Sequence, residues 1–220
     1  MKMKIPLLNL AGQYQELQAE IGAAIQDVLL QGTYILGPAV ERFEADFKAF
    51  LGAKHAVGVA SGSDALLLAL DALGIGPEDR VLVPTFTFFA TAGAVYRLGA
   101  VPVFVDLGPA SYNFDLDSVE THLSKEPRIK AIIPVHLFGQ PVNLERIADL
   151  AAKYQVKVVE DACQAIYAET SVRGEVKKAG TVGSAGCFSF FPSKNLGGYG
   201  DGGMIITQDD ALAEKLRLLR

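Results

Sequence analysis

The sequence predicts an α/β protein with a mostly parallel, seven-stranded sheet in a three-layer α/β/α arrangement. Short apolar runs alternate with segments of helical period from residue 56 onward. Runs rich in Val and Ile that are separated by helices are typical of a sheet covered on both faces. The last connection has only about eleven residues and three glycines. Because a parallel crossover needs a dozen residues or more, we expect the last strand to be antiparallel.

Each element follows from its own pattern. The predicted strands are residues 56–61, 80–84, 101–106, 130–136, 156–161, 185–190 and 202–207. The predicted helices between them are residues 64–73, 88–99, 118–124 and 144–155. Two further helices, about 13–30 and 38–51, precede the sheet and are joined by the glycine- and proline-punctuated turn "QGTYILGP". We therefore divide the chain into an N-terminal unit, 1–55, and a large domain, 56–220.

Composition excludes several classes of function. The chain has 220 residues, half of them hydrophobic, and a net charge of −5 without a basic run, so nucleic acid is not an expected partner. No apolar run approaches the roughly 18 residues that span a bilayer, and the opening residues do not resemble a signal peptide. We expect a cytoplasmic protein.

Cys163 and Cys187 form no zinc spacing and are interpreted as buried small hydrophobes, with a redox pair as the alternative.

The segment "SGSDAL", residues 61–66, leaves a strand and opens a helix. Gly62 permits close backbone approach, and the N–H groups of Ser63 and Asp64 lie at the helix N-terminus. Such a terminus is suited to a phosphate. An ordinary helix cap that uses Ser63 or Asp64 is the alternative.

The segment "VVEDACQA", residues 158–165, places Asp161 directly after an apolar strand, with Gln164 three residues later. A carboxylate at the edge of the core needs a charged or hydrogen-bonding partner. A cationic ring nitrogen meets that need, and so does a structural partner such as an arginine. His136, at the end of another strand, is interpreted as a core histidine without a role.

The segment "SFFPSKNLGGYGDGG", residues 189–203, places Lys194 between a proline and a glycine-rich turn. Ser189 lies five residues earlier, so both side chains can face one site across a bend at Pro192. A lysine in a desolvated setting is a nucleophilic amine, whereas most loop lysines are only solvated. A phosphate cup, an acid at a strand end and such a lysine are together the parts of a pyridoxal phosphate site.

These segments resemble the DegT/DnrJ/EryC1/StrS family of sugar aminotransferases, together with "GTYILGPAVERFEADFKAFLG", "PTFTFFATAGAV", "GAVPVFVD" and "IIPVHLFG". The resemblance covers essentially the whole chain. It implies the large domain of a type I pyridoxal-phosphate aminotransferase, with pyridoxal 5'-phosphate as cofactor.

The resemblance also implies roles for single residues. Lys194 matches the lysine that binds the cofactor covalently and later moves a proton. Asp161 matches the acid that pairs with the pyridinium nitrogen, and Gln164 a residue near the phenolic oxygen. The remaining matches are the phosphate-cup residues Gly62, Ser63, Asp64 and Ser189, and the ring-facing aromatic Phe88. For Phe88 the competing interpretation is a core aromatic at a helix start.

The implied activity is transfer of an amino group, with glutamate as the expected donor, to a nucleotide-linked keto sugar. The implied assembly is a homodimer with shared active sites. Two alternatives remain: a sugar dehydratase of the same family, which carries histidine at the lysine position, and a non-catalytic or truncated cofactor-binding module.

The resemblance further implies a smaller C-terminal domain that these 220 residues do not supply. The final stretch "DDALAEKLRLLR" carries Leu212, Leu216 and Leu219 at helical spacing, an apolar stripe that requires cover. We therefore expect an exposed apolar face on the last helix.

Overall fold

The computed structural model describes residues 5–220, and the first four residues of the predicted N-terminal unit lie outside them. The described chain contains a seven-stranded sheet and a separate two-stranded hairpin. The strands are β1 His55–Val59, β2 Arg80–Pro84, β3 Val101–Val105, β4 Ile129–Ile132, β5 Lys157–Asp161, β6 Glu169–Val172, β7 Glu175–Lys178, β8 Ala185–Ser189 and β9 Gly203–Thr207.

Seven α-helices surround the strands in this part of the chain. They are α1 Leu10–Gln31, α2 Pro38–Leu51, α3 Gly62–Ala72, α4 Ala90–Arg97, α5 Leu116–Lys125, α6 Leu144–Tyr154 and α7 Asp210–Leu219. Of these described helices, none is both long enough and apolar enough to cross a bilayer.

The sheet has the order β1-β9-β8-β5-β4-β2-β3. The pairs β2–β3, β2–β4, β4–β5 and β5–β8 are parallel, whereas β9 is antiparallel to both β1 and β8. The predicted fold class, including the antiparallel last strand, is confirmed. Strand β9 thereby lies between the first strand of the sheet and the strand that precedes the Lys194 segment.

Alternate residues of the strands enter two different cores, as period-2 geometry requires. Val81 and Val83 of β2 pack with α3, α4 and α7, whereas Leu82 between them packs with α5 and α6. A third cluster places Phe47 and Leu51 of α2 against β8 and β9. Helices thus cover both faces, and the carboxyl ends of the parallel strands meet at one edge.

Two details differ from the predicted elements. The strand predicted over 130–136 ends at Ile132, because Pro134 lacks an N–H for the ladder; a single bridge joins Val135 to Asp161 further on. The hairpin β6–β7 was not predicted. Its strands are mostly polar and exposed, and its turn, Arg173–Gly174, has two positive φ angles without an Asn-Gly or Asp-Gly signal.

The expectation of an uncovered stripe on the last helix is wrong for most of that stripe. Leu212 and Leu216 of α7 are buried in the same cluster as α3 and strand residues. Leu219, at the helix end, is 42 % exposed. Helix α7 packs back onto the sheet because the short connection after β9 returns the chain to that face.

Truncation of Leu216 tests this packing. We expect Leu216→Ala to lower the free energy of unfolding by about 2–5 kcal/mol, because it removes a fully buried side chain and leaves a cavity. Leu218→Ala is the matched control, since Leu218 is 86 % exposed on the same helix and its change is worth within about 0.5 kcal/mol. Urea denaturation measures both. Equal destabilisation by the two variants would show that α7 does not dock as described.

Candidate functional site

A cavity of about 470 Å³ opens at the carboxyl edge of the sheet, beyond the ends of β1, β5 and β8. This edge is where open α/β sheets bind ligands. Seven of the eight predicted site residues line the cavity: Gly62, Ser63, Phe88, Asp161, Gln164, Ser189 and Lys194. The structure therefore brings together residues that are far apart in the sequence.

A second cavity, of about 590 Å³, lies between α2, β1, β9 and α7. Its walls are almost entirely apolar side chains, and neither Lys194 nor Asp161 reaches it. Size alone would favour this cavity, but it holds no convergent set of polar groups. The smaller cavity is therefore the better candidate for chemistry.

The N-terminus of α3 forms one wall of the candidate site. Ser61 caps the helix, and the N–H groups of Gly62 and Ser63 donate to no acceptor in the described part of the chain. A Cβ at Gly62 would lie 2.6 Å from Cβ of Ser189, so only glycine allows this approach. The Ser189 hydroxyl accepts the N–H of Phe191 and keeps its own hydrogen free to donate. This wall is built to receive an anion.

Asp64 differs from the expectation for the cup. Its N–H donates to the Ser61 hydroxyl, that hydroxyl donates to its carboxylate, and Arg97 approaches the other carboxylate oxygen at 3.6 Å. The side chain lines the larger cavity instead of the candidate site. The prediction that Asp64 offers a free N–H is wrong, because Ser61, which was not singled out as the cap, uses it.

Asp161 lies at the floor of the cavity at the end of β5 and is 6 % exposed. Its Oδ2 accepts the hydroxyl of Thr91 at 2.9 Å, and its Oδ1 accepts the N–H of Cys163 at 3.2 Å. No salt bridge to Asp161 occurs among residues 5–220. A buried carboxylate with two neutral donors and no cation is suited to pair with a cationic group of a ligand.

Lys194 reaches the cavity from a turn that its neighbours define. The N–H of Lys194 donates to the carbonyl of Phe191 at 2.8 Å, with Pro192 at the second turn position that proline favours. Position 197 has to be glycine, because a Cβ there would lie 2.3 Å from the carbonyl oxygen of Pro192. The lysine is half-buried and has no ion-pair partner within residues 5–220. Its side chain can therefore contact a ligand in the cavity.

Gln164 is held in one orientation by the backbone. Its side-chain oxygen accepts the N–H of Phe138 at 2.9 Å, so its amide hydrogens remain available to the cavity. Phe138 has a φ of 56°, the left-handed conformation that bulky residues rarely adopt. The Gln164 side chain can therefore donate hydrogen bonds to an oxygen of a ligand.

Phe88 lies at the cavity mouth and is 62 % exposed, so the interpretation of it as a core aromatic is wrong. Phe88 precedes α4 and contacts Phe89 edge-on, with ring centroids 5.5 Å apart. Phe191 also lines the cavity and is half exposed. Two aromatic faces are therefore available to a planar ligand.

Sequence analysis missed the two threonines beside Asp161. Thr91 is fully buried on α4, and Thr87, four residues earlier and before the start of the helix, lines the cavity. The available signal was a polar residue within the apolar stretch "FFATAGAV", four positions after another threonine.

His136 and Glu160 form a buried pair behind the site. Nδ1 of His136 accepts the N–H of Val142, so Nε2 carries the hydrogen and donates to Glu160 at 2.9 Å. Glu160 also accepts three backbone N–H groups, from Gly180, Val182 and Gly183, at 2.6–2.7 Å. The structure agrees with a satisfied core histidine, and the pair fixes the segment between β7 and β8.

Cys187 lies on β8 and Cys163 in the turn after the neighbouring strand β5, and both are free thiols. Burial raises the pKa of the Cys163 thiol and of the Cys187 thiol well above the usual value. The reactive thiolate is therefore disfavoured at neutral pH, which supports the interpretation as small hydrophobes over a redox pair.

Comparison with known proteins gives a consistent result. A model described as the DegT/DnrJ/EryC1/StrS aminotransferase family matches residues 15–220. A protein of Geobacillus stearothermophilus named pleiotropic regulatory protein is 49 % identical over 99 % of this chain and 57 % of its own length. A UDP-N-acetyl-3-dehydro-alpha-D-glucosamine 3-aminotransferase of Acidithiobacillus ferrooxidans is 48 % identical over 98 % of this chain and 57 % of its own length.

Solved structures agree with these relatives. DesV of Streptomyces venezuelae, in complex with a ketimine intermediate, has a TM-score of 0.92 and 46 % identity, and covers 99 % of this chain and 57 % of its own. NtdA of Bacillus subtilis with bound cofactor PMP has a TM-score of 0.88 and 34 % identity over 97 % of this chain and 47 % of its own. The chain thus spans a little over half the length of the curated relatives it matches.

The pair behind the site gives a stability prediction. We expect Glu160→Gln to lower the free energy of unfolding by about 3–5 kcal/mol, because an amide cannot accept all four hydrogen bonds and presents its own donors to them. Glu175→Gln is the control, since the exposed Glu175–Lys177 pair is worth within about 1 kcal/mol. Chemical denaturation followed by circular dichroism measures both. A Glu160 variant as stable as the control would contradict the buried network.

Proposed function

Because the chain belongs to the DegT/DnrJ/EryC1/StrS aminotransferase family, we propose that it acts as a pyridoxal-phosphate-dependent aminotransferase. Its proposed substrates are a nucleotide-linked keto sugar and an amino donor, with glutamate as the donor. One observation carries the proposal: a single cavity holds an anion-binding helix terminus, a buried carboxylate and a free lysine. Relatives named for amino transfer to nucleotide-linked sugars support the substrate class.

The residues present fit pyridoxal phosphate. The N–H groups of Gly62 and Ser63 and the hydroxyl of Ser189 would hold the phosphate, since all three face the cavity without an acceptor of their own. The close approach at Gly62, where a Cβ would collide with Ser189, is a feature that a bound phosphate explains.

Three further residues fit the ring of the cofactor. Asp161 would face the ring nitrogen, Gln164 would donate to the phenolic oxygen, and Phe88 offers an aromatic face. Asp64 contributes to this site only by completing the helix cap with Ser61. Its proposed part in phosphate binding is therefore to order the terminus of α3.

The cofactor and the protein would contribute different parts of the proposed chemistry. Pyridoxal phosphate, when bound, supplies an electrophilic carbonyl carbon and a ring that stabilises negative charge at an adjacent carbon. Lys194 would hold the group covalently at rest and would afterwards take and return a proton at the reacting carbon. Asp161 would favour a proton on the ring nitrogen, because a negative charge in a poorly solvated position stabilises a neighbouring cation. Asp161 is only 6 % exposed, so little of it is open to solvent.

Assembly and location are part of the proposal. We propose a cytoplasmic homodimer in which the partner subunit contributes to each site. The open mouth of the cavity supports this, since Phe88, Phe191 and Asp201 at its rim are exposed in the single chain. None of the side chains of α1 is buried either, although several are large and apolar. Sedimentation of the purified protein tests the assembly.

Two alternatives have different predictions. A sugar dehydratase of the family is disfavoured by Lys194, where such enzymes carry histidine. A non-catalytic module is worth testing because one relative is named a regulatory protein. Mass spectrometry of products from a panel of nucleotide-linked keto sugars, with glutamate as donor, separates all three. An aminated product supports the proposal, whereas a deoxygenated product or no product contradicts it.

The covalent role of Lys194 is tested by Lys194→Ala. We expect turnover to fall by about a thousandfold or more, because the variant loses both the covalent anchor and the base. Lys157→Ala, on the exposed opposite end of β5, is the control and should keep parental activity. Borohydride treatment followed by mass spectrometry should attach the cofactor to a peptide containing Lys194 in the parent alone. Labelling of another lysine would refute the assignment.

The role of Asp161 is tested by Asp161→Asn. We expect the rate to fall far more than the affinity for the cofactor, because the ring loses its proton partner while the phosphate contacts remain. One charge-assisted hydrogen bond is worth roughly 1.5–3 kcal/mol of binding. Asp149→Asn, a surface carboxylate paired with Arg173, is the control. Single-turnover rates and cofactor titrations measure the two effects; a rate within a few-fold of the parent would make Asp161 a structural residue.

A further inference from the structure

A chain of three hydroxyl and carboxylate groups connects the cavity wall to Asp161. The hydroxyl of Thr87 lies 2.9 Å from that of Thr91, which in turn donates to Oδ2 of Asp161 at 2.9 Å. Thr91 is fully buried on the face of α4 that otherwise carries Ala90, Ala94 and Val95. An apolar side chain of the same size would fill this position without a hydroxyl, so the hydroxyl calls for a reason beyond packing.

Counting hydrogens shows which group donates in each hydrogen bond of the Thr87–Thr91–Asp161 series. A threonine hydroxyl has one hydrogen, and Thr91 gives it to the acceptor-only carboxylate of Asp161. The hydrogen between the two threonines therefore belongs to Thr87. Thr87 donates to Thr91, and Thr91 donates to Asp161. Because a hydroxyl that accepts a hydrogen bond becomes a better donor, the first bond strengthens the second.

Hydrogen bonds from Thr91 and Cys163 also fix the plane of the Asp161 carboxylate. Thr91 binds Oδ2 from α4, and the N–H of Cys163 binds Oδ1 from the segment after β5. Each oxygen thus has one donor from the protein and keeps further lone pairs for a ligand. With a donor on each oxygen, rotation of the carboxylate costs at least one hydrogen bond. Of these two donors, only the Thr91 hydroxyl is a side chain that substitution can remove.

We propose that Thr91 is a positioning residue for Asp161 and that Thr87 orients it. Thr91 acts by holding the carboxylate in the one orientation from which its free lone pairs face the cavity. The inference rests on the proposed function, since it assigns to Thr91 a part in the pairing of Asp161 with the cofactor ring. Thr91 itself does not line the cavity, so its effect passes through Asp161.

The test compares three variants of the full-length protein loaded with pyridoxal phosphate. Thr91→Val keeps the shape and removes the hydroxyl, Thr91→Ser keeps the hydroxyl, and Thr85→Val removes a hydroxyl–carboxylate bond to Asp106 on the exposed part of the same segment. We expect Thr91→Val to lower kcat by roughly 10- to 100-fold with little change in KM, the range of a lost hydrogen bond to a charged group. We also expect its bound cofactor to show a shifted absorption maximum. Thr91→Ser should restore both, and Thr85→Val should change neither.

The outcomes separate this inference from the proposed function. If the parent binds no cofactor, the proposed function fails and this inference fails with it. If the parent binds cofactor and Thr91→Val keeps the parental spectrum and kcat, only the inference is overturned. It is also overturned if Thr91→Ser is as impaired as Thr91→Val, since the hydroxyl then has no special part. If Thr91→Val does not fold, Thr87→Val decides: a spectral shift with a smaller loss of kcat supports the proposal, and parental behaviour overturns it.

Discussion

The candidate site depends on two points at which the backbone leaves no room for a Cβ atom. At Gly62 a Cβ would lie 2.6 Å from Ser189, and at Gly203 it would lie 2.3 Å from the carbonyl oxygen of Ser61. The first contact joins the start of α3 to the end of β8, and the second joins the same turn to the start of β9. Both ends of the Lys194 loop therefore lie directly against the helix terminus that forms one wall of the candidate site. These two contacts fix where the ends of the Lys194 loop lie relative to the start of α3.

Of the two carboxylates at the end of β5, only Asp161 faces the cavity, because side chains alternate between the two faces of a strand. Glu160 and Asp161 are consecutive, so they point to opposite sides of β5. Glu160 is surrounded by four donors and is wholly committed to the fold, whereas Asp161 has two and keeps capacity for a ligand. Opposite it lie the positive end of α3 and the amine of Lys194. A ligand that carries a cation at one end and an anion at the other matches this arrangement.

The sheet was predictable because its signals are local. Apolar runs of four to six residues between helical segments mark strands, and a connection too short for a crossover marks β9 as antiparallel. Lys194 was found because Pro192 and the glycines after it define an unusual turn. Features that depend on partners distant in sequence were harder to predict. The cover of Leu216, the exposure of Phe88 and the buried hydroxyl of Thr91 all depend on which element packs beside them, and no local pattern states this.

The helix cap shows a subtler limit. The sequence pattern offered Ser63 and Asp64 as the alternative caps of α3, yet Ser61 caps it. A shift of two or three residues in a helix start is invisible to composition here, because serine and aspartate are both good caps. It nevertheless decides which N–H groups remain free. Here the shift leaves Gly62 and Ser63, instead of Ser63 and Asp64, as the donors that face the cavity.

The pairing of β1 with β9 has a consequence for the biogenesis of the protein. Their partner residues, from His55 with Thr207 to Val59 with Gly203, lie about 150 positions apart in the sequence. Contacts of such separation form slowly, since a long loop must close first. During synthesis β1 emerges early, but β9, the strand that pairs with it, is made about 150 residues later. Until then both edges of β1 are unpaired, and a chaperone or a second nascent chain would readily bind such a strand.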